Sequence, residues 1–243
     1  TYLTYRDAVT VIQALTKAET SRHRVHCYVQ QVGAYIDKER RKEAVEKVDL
    51  MYGDGTKVHG LGKKNEINVV MGKDLETGEK TLLALDVNRS WRETAIQVTS
   101  TTDVLVSDAD REMRYALIDK ALRYQMCVNH AVKDVNNHLW RAEMPYGERK
   151  EIRARLRSIL RFLRNSARKH LRDKNFERLR WRIDWALDEL GRMARELREE
   201  DFTGAAKFIA NSANYMVTFA ELAMKELHIP YTNNLIERLM GEV

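Results

Sequence analysis

The chain contains little that would suit an oxidising compartment or a bilayer. Two cysteines in 243 residues make no disulfide framework. No apolar run approaches the roughly 18 residues that a membrane span needs, and no signal-like segment opens the chain. Internal repeats and low-complexity tracts are absent. With 44% hydrophobic and 32% charged residues the composition is that of an ordinary globular protein, which excludes global disorder and a coiled-coil rod. A soluble protein of the reducing cytoplasm is expected. The chain starts at Thr1 and stops at Val243 inside a helical pattern, so both ends are expected to be cut.

The length suits one sizeable core carrying a large insertion, or two domains, and leaves both open. A net charge of +6 with a pI near 9.2 permits contact with nucleic acid, and the distribution of that charge matters more than its total.

The most informative stretch is DVLVSDADREMR, residues 103–114. Val104, Leu105 and Val106 read as a buried central strand, and the run ends abruptly in Asp108 and Asp110. Either acid reads equally as a helix N-cap or as a metal ligand delivered by a strand tip. Asp108 follows the apolar run more directly and so is preferred as the ligand.

Residues 5–48 read as two or three helices. Arg22, His23, Arg24 and His26 beside Thr20 and Ser21 fit either a DNA-binding helix-turn-helix fragment or a solvated helical collar. Strand-like runs follow at 48–58, 67–72 and 81–87, the last two joined by a turn at Thr77 and Gly78, which predicts an antiparallel meander. A short crossover helix is expected over 91–99, a strand over 104–107, a helix over 111–123 and a strand over 125–128. From 131 to 227 only Arg-rich helical segments appear, with breaks at 144–147 and 201–204.

Within 149–182 an apolar stripe of Ile152, Leu156, Ile159, Leu160 and Leu163 leaves another face cationic. Acids that would pair at i,i+4 are thin there, so Arg153, Arg157, Arg161, Arg164, Arg168 and Lys169 are expected to contact DNA phosphates. Trp181 and Trp185, spaced i,i+4, read as core packing or as a platform for an extruded base. Trp91 and Trp140 are read in the same way. Asp86, which ends an apolar strand, is expected in a turn.

The closing run NNLIERLMGEV predicts a capped helix that carries Glu237 beside Leu235, Ile236, Leu239 and Met240. Asp54, Asp108 and Glu237 thus stand on three separate elements. Such a set suits two hard divalent cations, Mg²⁺ or Mn²⁺, for in-line phosphoryl transfer. Cys127 and His130 form C-x-x-H, which is half a zinc site lacking its second pair, so zinc is not expected, and the pair reads equally as a buried Cys and a hydrogen-bonded His.

MYGDGTKV, VLVSDADREM, Cys127-x-x-His130 and YTNNLIERLMGEV together resemble the successive signatures of DDE transposases, especially the bacterial and archaeal insertion-sequence enzymes related to Mutator-like elements. The resemblance runs from about residue 50 to the end. It implies a ribonuclease H-like fold interrupted by a large all-helical insertion, which with the element order read above gives an expected α/β mixed sheet, three antiparallel strands and then parallel ones, after the helical N-terminal segment. The expected divisions are 1–47 (helical), 48–130 (first part of the core), 131–227 (insertion) and 228–243 (helix of the last acid).

It also implies that Asp54, Asp108 and Glu237 are the catalytic, metal-holding acids of a two-metal nucleotidyl transferase. Asp110, Cys127, His130, Asn233, Asn234 and Arg238 would surround them. Implied partners are double-stranded DNA, as element ends and target, and a second copy of the chain in a nucleoid-associated dimer. The rival expectation is a decayed or domesticated transposase that binds DNA without cutting it. A nuclease acting on RNA hybrids ranks lower, since it offers no purpose for so large an Arg-rich insertion.

Overall fold

A computed structural model describes residues 46–57, 66–87 and 90–234. The helical segment expected over 1–47 lies outside these residues apart from its last two, as do Glu237 and Arg238.

Strands β1 (Lys47–Lys57), β2 (Glu66–Lys73) and β3 (Lys80–Val87) form the expected antiparallel meander. Helix α1 (Trp91–Gln97) then leads into β4 (Thr101–Ser107), which pairs with β1 in parallel. Ser90 starts α1 with a capping box, its hydroxyl accepting from Glu93 N while the Glu93 carboxylate accepts from Ser90 N. Helix α2 (Arg111–Leu117), a 3₁₀ turn (Ile118–Lys120) and β5 (Ala121–Met126) follow, and β5 extends the sheet in parallel to give the order β3-β2-β1-β4-β5.

Two boundaries differ most from expectation. The helix predicted over 111–123 ends at Leu117, and the strand predicted over 125–128 begins at Ala121. The open edge of β4 explains both. Pairing from Thr102↔Ala121 to Ser107↔Met126 satisfies its backbone donors and acceptors, an obligation that outranks the helix propensity of Leu122 and Arg123.

Four helices follow among the described residues, α3 (Val128–Arg141), α4 (Tyr146–Asp173), α5 (Phe176–Glu199) and α6 (Thr203–Ala223), and then a segment of turns. The sequence pattern shows no break at 174–175. There Lys174 takes a left-handed φ of 52° and the Asn175 side chain accepts from Arg178 N at 3.0 Å, ending one helix and capping the next. Helix α6 docks on β5, where the Thr218 hydroxyl donates to the Tyr124 carbonyl at 2.9 Å.

Close approach fixes which sheet face each helix covers. A Cβ on Gly53 would lie 2.5 Å from Met113 Sδ of α2, and one on Gly55 would lie 3.3 Å from the Trp91 ring of α1. Trp91 is therefore a core residue. Since side chains alternate along a strand, Asp54, between these glycines, points to the opposite face. No described helix is long and apolar enough to cross a membrane.

Candidate metal centre

In the parallel pairing of β1 with β4, Gly53 stands opposite Ser107. One residue further along each strand come Asp54 and Asp108, so the register itself sets the two acids side by side. Helix α3 starts just past the end of β5 and supplies His130 in its first turn. One ligand atom each from Asp54, Asp108 and His130 all lie within 4.8 Å of one another. Asp54 is buried, while Asp108 and His130 are half-buried.

Asp108 is held from two directions. Its carboxylate accepts from Asp110 N at 3.0 Å, and its carbonyl accepts from the Tyr124 hydroxyl at 2.6 Å and from the Ser107 hydroxyl at 3.0 Å. The Asp110 carboxylate turns the other way, accepting from Glu112 N and Met113 N, and so caps α2. Of the two acids on this loop, Asp108 joins the cluster and Asp110 orients it.

Burial pushes the Asp108 carboxyl above the usual carboxylate range, against the Asp110 N–H and the His130 charge, which favour the ionised form. A hydrogen bond with Cys127, helped by the charges of Asp108 and Asp54, raises His130 to about 9 despite burial. Buried Cys127 also accepts from Asn233 N at 3.4 Å. Tyr231 and Asn234 flank this contact: the Tyr231 carbonyl accepts from Val128 N at 3.0 Å, and Asn234 Oδ1 accepts from Asn129 Nδ2 at 3.2 Å. The segment just before Glu237 is thereby moored at the start of α3, beside His130.

Asp134, one turn beyond His130 on α3, is a residue that sequence reasoning missed. It is half-buried, burial raises its carboxyl above the usual range with His130 opposing, and its charge acts in turn on Asp108. The i,i+4 spacing of His130 and Asp134 was the available signal.

Two carboxylates and an imidazole form a donor set that fits a divalent ion. The nitrogen ligand favours Mn²⁺ over Mg²⁺, which prefers oxygen alone. Asp86 lies apart, buried in β3 rather than in a turn, accepting from Gln97 Nε2 at 2.7 Å.

Of the expected DNA contacts, Arg157, Arg161, Arg168 and Lys169 are exposed on α4, and Arg153 is half-buried. Arg164 donates to the Tyr231 hydroxyl and lies over its ring, 5.0 Å from the centroid. Only Lys169 among these six has an acidic partner among the described residues, Asp173 at 3.8 Å. Arg155, on the side of α4 that faces α5, is paired with Glu189 and Glu196 instead. Trp185 packs edge-on against Phe162 at 5.0 Å, whereas Trp181 and Trp140 are exposed, contrary to the core reading, and the Arg182 guanidinium lies 4.3 Å from the Trp181 ring centroid.

Fold and site together define a mixed α/β protein whose sheet presents a carboxylate–imidazole cluster at one end. No protein-family model matches the chain, and a search of curated proteins finds no match to it.

Proposed function

We propose that the chain is the catalytic region of a DDE-type transposase, with a ribonuclease H-like core interrupted by the helical insertion at 131–227. The observation that carries this reading is the in-register delivery of Asp54 and Asp108 from adjacent parallel strands to one point beside His130. The strand order β3-β2-β1-β4-β5, antiparallel and then parallel, supports it. So does the cationic face of α4, which has the charge to hold a DNA backbone.

Asp54, Asp108 and His130 would hold Mn²⁺ or Mg²⁺, His130 giving up its proton as the ion binds, with Glu237 as the further acid that the family resemblance assigns. A divalent ion there supplies positive charge at a transferring phosphoryl group. The protein's own share is positioning. Tyr124 and the Asp110 N–H fix Asp108, and Cys127 fixes the His130 ring. Arg157, Arg161 and Arg168 neutralise the phosphates of the element end and of the target. Strand cleavage followed by attack of the freed 3′-hydroxyl on target DNA is the proposed reaction, carried out by a dimer at the nucleoid.

The test is nicking of supercoiled DNA in Mn²⁺ by the parent and by Asp54→Asn and Asp108→Asn, each checked for folding and for DNA affinity. Cleavage by the parent alone, with affinity unchanged, is expected. Equal cleavage by all three would remove the acids from the chemistry, and DNA binding without cleavage by a metal-loaded parent would identify a DNA-binding relative that has lost the reaction.

A further inference from the structure

A second feature of the insertion lies outside the metal centre and does not depend on its reading. Between the last turns of α4 and the first turn of α5 is a cavity of about 270 Å³, whose lining includes Phe162, Asn165, Lys169, His170, Asn175 and Arg178. His170 is only 2% exposed, and neither of its ring nitrogens has a hydrogen-bond partner among the described residues. Its ring lies edge-on to Phe176, with centroids 4.7 Å apart.

An imidazole buried in this way carries a desolvation cost that a phenyl ring or a leucine in the same place would not. Such a group calls for an explanation, and its position in the wall of a cavity supplies one. The surroundings select the ligand. Lys169 and Arg178 are exposed cations at the rim. The cavity lies where the C-terminus of α4 meets the N-terminus of α5, so their opposed dipoles largely offset and the selection rests on the cations and the buried imidazole. Asp173 is the one acid in the lining, 3.8 Å from Lys169.

We propose that the α4–α5 junction binds a phosphate group, with Lys169, Arg178 and the buried His170 as its donors. Both nitrogens are covered in the free chain, so engagement turns the ring toward the cavity and gives one N–H its partner. The phosphate belongs either to a free phosphorylated molecule or to a DNA backbone lying along the insertion.

Imidazole NMR signals of the parent are followed while inorganic phosphate, and separately a short blunt DNA duplex, are added. Phosphate should shift the His170 signals in a saturable manner. Arg178→Ala and Lys169→Ala, both at exposed positions, should each weaken binding about tenfold. His170→Phe should abolish binding while raising the melting temperature of the free protein, because it removes the unpaired nitrogens.

If the duplex displaces phosphate from the same signals, the source is a DNA backbone; if phosphate binds and the duplex does not compete, it is a free phosphorylated molecule. Unmoved His170 signals under saturating phosphate would overturn the proposal. So would undiminished binding by Arg178→Ala and Lys169→Ala, or a free His170→Phe protein that melts lower than the parent.

Discussion

Replacing Asp54 by Asn should leave the metal-free protein nearly as stable as the parent at neutral pH and yet abolish its stabilisation by Mn²⁺. With ligand atoms within 4.8 Å of each other, two unit charges at an effective dielectric constant near 20 interact by ~3.5 kcal/mol. The substitution relieves one repulsion of that size, with Asp108, and forfeits one attraction of the same size, with protonated His130. The two cancel to within about 1 kcal/mol as long as His130 carries its proton.

The folded-state value of His130 is raised to about 9, so its stabilising contribution is fully present below the unfolded value of about 6.5 and is lost as pH rises through 9. The parent should therefore lose stability across that window, and Asp54→Asn should lose less. Added Mn²⁺ at about 100 times its Kd stabilises the native state by about 2.7 kcal/mol, which for a chain of this size raises Tm by roughly 5–10 °C. Thermal scans of both proteins from pH 6 to 10, with and without Mn²⁺, provide the assay. An equal Mn²⁺ shift in both, or a stability loss with pH that is the same in both, would refute the reasoning.

Three further variants address the frame around the cluster and the basic face. Gly53→Ala should destabilise by about 1–3 kcal/mol in urea unfolding, because its Cβ meets buried Met113; a change within experimental error would show that α2 yields at no cost. Asp110→Ala should cost about 1 kcal/mol through the lost cap of α2 and weaken Mn²⁺ binding less than Asp108→Ala does, as read by calorimetry; an equal loss would make Asp110 a ligand. Arg157→Ala with Arg161→Ala should lower the slope of log affinity against log salt for duplex DNA by about two, and an unchanged slope would take these residues off the DNA path.

The sequence carried β4 because Val104, Leu105 and Val106 form a buried apolar run that ends at Asp108, and β1 because the buried run Leu50, Met51 and Tyr52 leads up to Asp54 inside the strand. It did not carry the register that sets Gly53 opposite Ser107, since pairing is decided between strands and a shift of one residue would have turned one acid to the far face. His130 was legible only as a neighbour of the site, because C-x-x-H reads first as half a zinc motif; the strand end at Met126 is what starts α3 early enough to aim His130 at the acids. Asp134 was marked only by its i,i+4 spacing from His130, for a related reason. An acid inside a polar helix looks solvated until the sheet beneath it is known.

The same rule explains the misplaced boundary between α2 and β5 and the unmarked break between α4 and α5. Neither Leu122-Arg123 nor Asp173-Lys174-Asn175 contains the proline or glycine that usually marks a stop. In the first case the waiting edge of β4 makes the decision, and in the second an Asn cap and one left-handed lysine do so. The cavity lined by His170 exists only because of that second break. The feature least readable in the sequence therefore created a cavity that no sequence pattern marks.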